Sequence, residues 1–89
     1  MSEKEFTDMA AELRVAAVRS AAAAGIGVEG AEDVAQDIML RLWTLRDNIS
    51  SARHARGLAV VAARNRALDM LRQSHTVSLT TGVAVVQPS

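Results

Sequence analysis

The residues best suited to bind another molecule are the arginines between Arg53 and Gln73. In that stretch Asp69 is the single acid and lysine is absent. A guanidinium group presents a planar fork of donors that fits phosphate oxygens and base edges, whereas an ammonium group acts as a point charge. The composition therefore indicates contact with a polyanion. The arginines concerned are Arg53, Arg56, Arg64, Arg66 and Arg72.

The same stretch predicts a long helix, because alanine, leucine, methionine and arginine favour helices and no proline interrupts them. At ~100° per residue, one side is predicted to be buried and another to carry three stacked cations. The predicted buried side consists of Leu58, Val61, Ala62, Asn65 and Leu68. The predicted arginine side consists of Arg53, Arg56, Val60, Arg64 and Ala67. Gly57 is expected to mark a close helix–helix approach or a bend.

A chain of 89 residues can form at most one domain, with a small core. We expect a cytoplasmic protein without a cofactor or metal. Cysteine is absent, which excludes disulfides and thiolate metal sites. No apolar run approaches the ~20 residues of a membrane span. His54 and His75 lack a second ligand at metal spacing, and Asp33 and Asp37 are expected to lie on a solvated face rather than to act as catalytic acids.

Two further helices precede the arginine-rich one. Ser2 and Glu5 form a capping-box pattern that predicts a helix to about Ala24, ended by Gly25. A second helix is predicted from about Ala31 to Arg46, and Ser50 or Ser51 is expected to cap the third. The buried stripe of the first helix is predicted to be Phe6, Met9, Ala10, Leu13, Ala17 and Ala24. We predict an all-α bundle of three helices, or four if one is broken, over residues 1–75, followed by a flexible linker over 76–89.

The second helix is predicted to have a core stripe and an outer side of mixed polarity. The core stripe consists of Ala31, Val34, Ala35, Ile38, Leu42 and Leu45. Leu40 falls among polar residues on the other side, and a mixed polar and apolar patch of this kind suits a protein–protein contact. The patch consists of Gln36, Asp37, Leu40, Trp43 and Thr44. Trp43 fits the edge of the core as well as it fits a contact.

The distribution of charge separates the chain into two parts. The formal net charge is zero, although free-standing nucleic-acid binders are usually basic. Acids dominate residues 3–37 and arginines dominate residues 41–72. Such an asymmetry indicates two different partner surfaces.

The chain carries the motif AEDVAQDIMLRLW at residues 31–43 and, after a polar loop, the motif ARNRALDMLR at residues 63–72. In this order the two motifs resemble region 2 of the extracytoplasmic-function sigma factors of bacterial RNA polymerase. The resemblance covers about Phe6 to His75. It implies a helical, non-enzymatic domain that binds core RNA polymerase and recognises and opens the promoter −10 element.

The resemblance also assigns roles to individual residues. The second helix is expected to dock on the clamp helices of the largest polymerase subunit through Gln36, Asp37, Leu40, Arg41, Trp43 and Thr44. The loop and third helix are expected to bind the non-template strand, with Arg53, Arg56 and Arg64 on phosphates. The DNA-contact set is Asn48, Ser50, Ser51, Arg53, Arg56, Arg64, Arg66 and Arg72. Arg66 and Arg72 could instead be solvated or paired with Asp69, and Asn65 and Asp69 are expected to form a buried structural network. An anti-sigma factor is implied as a further partner.

The chain departs from the family pattern in the third helix. Leu58-Ala59-Val60 stands where the family usually has aromatic residues, and base stacking on an aromatic ring contributes ~1–3 kcal/mol per base. The region that reads the −35 element is missing, so we expect an excised domain. Two alternatives stay open: a helical protein-interaction module without DNA binding, and a repressor that binds duplex DNA.

Overall fold

The computed structural model describes the backbone of residues 1–80 and the side chains of residues 1–73, and within that part it is all-helical. Helix α1 spans Glu3–Ala23, α2 spans Val28–Thr44 and α3 spans Ala52–Thr80. A short 3-10 turn, Arg46–Asn48, leads from α2 toward α3. The predicted fold class, an all-α bundle of three helices, is confirmed.

Helix α1 begins at the predicted capping box. The Ser2 hydroxyl accepts from the backbone N–H of Glu5 at 3.1 Å, and the Glu5 carboxylate accepts from the backbone N–H of Ser2 at 2.9 Å. The hydrogen bond that the Glu5 carboxylate accepts from the backbone N–H of Ser2 lowers the pKa of Glu5, because it favours the charged form. The helix ends before Gly25, whose φ of +115° is open to glycine and strained for other residues.

Helix α2 begins and ends earlier than its predicted bounds. Val28 already lies in its first turn, because the backbone N–H of Ala31 donates to the Gly27 carbonyl at 2.8 Å. The helix ends at Thr44 rather than at Arg46. The prediction that Leu45 belongs to the core stripe was wrong: it lies past the helix end and is 50% exposed. The other members of the stripe, from Ala31 to Leu42, are buried as predicted.

Helix α3 begins at a serine cap, as predicted. The Ser51 hydroxyl accepts from the backbone N–H of His54 at 3.1 Å, and the Ser51 carbonyl accepts from Ala55 at 2.9 Å. The helix continues to Thr80 and so includes the first residues of the expected linker. The linker assignment stays a prediction, and its residues 81–89 lie outside the described part of the chain.

The buried side of α3 is made of alanine. Four alanines, spaced one helical turn apart, are fully buried: Ala55, Ala59, Ala63 and Ala67. The predicted buried side was therefore rotated away from the real one. Val61 is 57% exposed and Asn65 is exposed, while Leu58, Ala62 and Leu68 of the predicted side are half-buried. Ala67, predicted on the arginine side, is in the core.

Bulky side chains from the other elements fill the space around this alanine stripe. Phe6 and Leu13 from α1, Ile38 from α2 and Ile49 from the loop are the large members of the core. The predicted stripe of α1 is confirmed, since Phe6, Leu13 and Ala17 are buried and Met9, Ala10 and Ala24 are half-buried. Helix α1 packs against both other helices and thereby holds the domain together.

Two glycine substitutions are expected to change stability in opposite directions. A Cβ at Gly57 would meet nothing within 4 Å, so the close approach expected there is absent. Gly57→Ala should raise the free energy of unfolding by about 0.5–1 kcal/mol, because alanine has a higher helix propensity than glycine at an exposed helical position. Gly25→Ala should lower it by more than about 1 kcal/mol, since its φ is positive. Urea denaturation followed by circular dichroism measures both, and a shift of the same sign would contradict the backbone assignment.

Candidate functional site

The outer surface of α2 carries the six residues expected to dock on a partner, here called the α2 patch: Gln36, Asp37, Leu40, Arg41, Trp43 and Thr44. Leu40 is 62% exposed, which confirms its predicted position among polar residues. Gln36, Arg41 and Thr44 are also exposed, and Asp37 is half-buried. The α2 patch is thus one continuous surface with an apolar centre.

Trp43 is held in one orientation by contacts on two sides. Its ring packs edge-to-face against Phe6, with 5.4 Å between the ring centroids. The Arg46 guanidinium lies 3.9 Å from the centroid of the same ring, and its Nη1 donates to the Trp43 carbonyl at 2.7 Å. Trp43 is therefore both an edge of the core and part of the exposed surface, which combines the two interpretations left open by the sequence.

A shallow groove lies at the C-terminal end of the α2 patch. It is lined by Leu40, Arg41, Thr44 and Leu45 and has a volume of about 350 Å³. The sequence places Leu45 in the core only if the helical periodicity of α2 continues past Thr44, where the helix in fact ends. The early end of the helix places a second leucine beside Leu40, so the apolar part of this surface is larger than the sequence indicated.

Asp37 joins the α2 patch to α3. Its Oδ2 lies 3.3 Å from the Arg41 Nε and 4.0 Å from the Arg66 Nε. The Oδ2 atom has almost no accessible surface and accepts no hydrogen bond from the described residues. Arg66 therefore faces α2, and the structure does not bring it together with the other arginines of the expected DNA-contact set.

The predicted arginine side of α3 borders α1 instead of projecting freely. Arg56 pairs with Glu12 of α1, and Arg64 shares a groove with Arg19 of α1. Arg53, at the start of the helix, is exposed. Arg53, Arg56 and Arg64 thus lie along one side, and α1 supplies both a competing carboxylate and an additional cation.

The C-terminal part of the arginine-rich stretch forms an ion pair within its own helix. Arg72 pairs with Asp69 on the same helix, as one interpretation of the sequence allowed. Asn65 is exposed, so the predicted buried network of Asn65 and Asp69 was wrong. The cause is the same rotation of the helix that exposes Val61.

The loop between α2 and α3 is fixed by one buried side chain and by its serines. Ile49 is 2% exposed and anchors the loop in the core, while Asn48 and Ser50 are exposed. The backbone N–H of Ser50 donates to the His54 Nδ1 at 3.1 Å, which complements the Ser51 cap. The loop residues expected to contact DNA therefore have a defined conformation.

The described part of the chain contains neither a candidate membrane span nor a candidate metal cluster. None of the helices there combines the length and apolar composition that a membrane span requires. Over the same residues, no three side chains of histidine, aspartate or glutamate are grouped so that they could hold a metal ion.

Comparison with protein families connects these surfaces to a known domain. The Sigma-70 region 2 family matches residues 18–76, more than half of the chain. The matched residues include the α2 patch, the loop and the arginines of α3. A comparison with curated proteins and another with solved structures yield no match.

The exposed Leu40 and the buried Leu42 form a matched pair for a stability test. Leu40→Ala should change the free energy of unfolding by less than about 0.5 kcal/mol, because the side chain is largely solvated. Leu42 is only 4% exposed, so Leu42→Ala should lower the free energy of unfolding by about 2–5 kcal/mol, because the substitution leaves a cavity in the core. Urea denaturation compares the two. Equal losses would mean that Leu40 serves the fold rather than a partner.

Proposed function

The chain belongs to the sigma-70 region 2 family, and from that premise we propose that it is the region 2 of an extracytoplasmic-function sigma factor. Proteins of this family act in transcription initiation together with core RNA polymerase and are not catalytic themselves. In the proposed role the domain docks on the polymerase clamp helices and recognises the −10 element on the non-template strand. The observation that carries the proposal is the separation of an apolar docking surface on α2 from an arginine-lined side on α3.

The α2 patch suits a protein partner for reasons of exposure and rigidity. Leu40 and Leu45 expose apolar surface that no described part of the chain covers, and an exposed apolar patch with a polar rim is typical of protein contacts. Trp43 is already immobilised by Phe6 and Arg46, so it loses little conformational entropy on binding. We propose this surface as the contact with the clamp helices of the largest polymerase subunit.

The arginine side of α3 and the preceding loop suit a DNA strand. Arg53, Arg56 and Arg64 lie along one side of α3, where guanidinium groups can bind successive phosphates. The Ser51 cap and the buried Ile49 hold the loop beside the start of this helix. Without aromatic residues at positions 58–60, arginine and the loop must supply the contacts that hold a separated strand.

An anti-sigma factor, implied by family likeness, would act in the cytoplasm on the same surfaces.

Polymerase docking is tested with one charge substitution on each of two helices. Leu40→Asp should weaken binding to core RNA polymerase by roughly 30-fold or more, as expected for a central interface residue. Val15→Asp is the matched control, because Val15 is 48% exposed on α1, away from the α2 patch. Fluorescence anisotropy of the labelled protein gives the affinities, and circular dichroism checks the fold. Equal loss in both variants would exclude α2 as the docking surface.

DNA recognition is tested with a strand selected from random single-stranded oligonucleotides. The selected strand should bind more tightly than a scrambled strand of the same composition, and Arg64→Ala should weaken its binding several-fold without affecting polymerase binding. Arg14→Ala is the control, since Arg14 is exposed on α1 and lies outside the expected DNA-contact set. Preference for the duplex form would favour the repressor alternative. Polymerase binding without any DNA binding would favour the protein-interaction module.

A further inference from the structure

A second groove, between α1 and α3, combines apolar walls with two guanidinium groups. It has a volume of about 470 Å³ and is lined by Ala16, Arg19, Ser20, Ala23, Ala24, Val60 and Arg64. Pockets of this size hold small organic groups. Alanine and valine form its walls, and Arg19 and Arg64 reach it from opposite helices.

Arg19 of α1 and Arg64 of α3 differ from most other arginines of α3 in their ion pairing. Arg56, Arg66 and Arg72 each have a carboxylate partner. Among the described side chains, no carboxylate forms an ion pair with Arg19 or Arg64. The groove therefore carries two positive charges that no described carboxylate pairs with, which suits an anionic occupant.

The walls of the groove are held at a fixed separation. The Ser20 hydroxyl donates to the Val60 carbonyl at 2.6 Å, and this bond joins α1 to α3 within the groove. That hydroxyl is thereby committed as a donor, so the guanidinium groups are the main donors left for a ligand. A fixed groove with guanidinium groups and apolar walls matches an occupant that alternates anionic groups with flat apolar ones, as a single nucleic-acid strand does.

We propose that this groove binds one nucleotide of single-stranded DNA, with Arg19 and Arg64 on the flanking phosphates and the base or sugar against the alanine and valine walls. The inference rests on the proposed function and extends it, because it adds α1 and Arg19 to a DNA surface otherwise built from α3 and the loop. It also supplies an apolar contact for a base in a helix that lacks aromatic residues at positions 58–60.

The charge contribution is tested with two substitutions on the same helix. Arg19→Gln should weaken binding of the selected single strand roughly five- to tenfold and reduce the slope of log affinity against log salt by about 0.7, the effect of one phosphate contact. Arg14→Gln removes the same charge from an exposed position on α1 outside the groove and should leave both quantities nearly unchanged. Equal effects of the two variants on the affinity and slope would overturn the inference while leaving the proposed function intact.

The apolar walls are tested by filling the groove. Ala23→Met places a larger side chain in the groove, and Ala22→Met places it on a neighbouring exposed position of α1. Ala23→Met should weaken strand binding at least threefold without changing the salt slope, since no charge is removed, whereas Ala22→Met should not. No difference between the methionine variants would overturn the inference.

A competitor of different chemistry identifies the occupant. Polyglutamate carries charge without bases, so it should compete poorly with the labelled strand for the wild-type protein. Equally effective competition by polyglutamate would show that the groove selects charge alone and would overturn the assignment to DNA. Failure of the wild-type protein to bind any single strand would overturn the proposed DNA function and this inference together.

Discussion

Four fully buried methyl groups lie at the centre of the contact between α3 and the rest of the domain, with Leu58, Ala62 and Met70 half-buried beside them. Ala55, Ala59, Ala63 and Ala67 are fully buried, and side chains this short let helix axes approach to about 8 Å, the lower end of the usual range. A larger residue at any of them would force the helices apart or into strained rotamers. The alanine stripe thus lets α1 and α2 pack closely on α3, and their positions decide which side chains stay exposed.

The close approach also decides which residues reach solvent and which face a neighbour. Because α1 lies against one flank of the alanine stripe, Arg56 meets Glu12 and the Val60 carbonyl meets Ser20. On the other flank α2 brings Asp37 to Arg66. The outer side of α2 stays uncovered by the described residues, which leaves Leu40 and Leu45 exposed. The packing thus leaves an exposed apolar surface on α2 and a separate cationic surface on α3.

The sequence predicts α1 and α2 well because their buried stripes consist of large apolar residues at helical spacing. The sequence does not predict the buried side of α3. Leucine and valine are more hydrophobic than alanine, yet alanine is fully buried there because a short side chain allows α3 to pack closely against α1 and α2. A projection ranked by hydrophobicity therefore favours Val61 over Ala63, the reverse of what is found. Leu45 was misplaced because periodicity does not show where a helix ends. The pairing of Arg56 with Glu12 joins residues far apart in sequence, so no local pattern predicts it.

The internal ion pairs of the arginines have a consequence for selectivity. An arginine that already has a carboxylate partner gains little from a single external anion, because it exchanges one favourable contact for another. A ligand that offers several phosphates in register can displace the Glu12 carboxylate from Arg56 and also engage Arg64, which has no carboxylate partner among the described side chains. The pair between Arg56 and Glu12 thus adds a small cost to the binding of a single anion, which several phosphates bound together can offset. A chain with zero net charge can in this way favour an ordered polyanion over the many small anions of a cell.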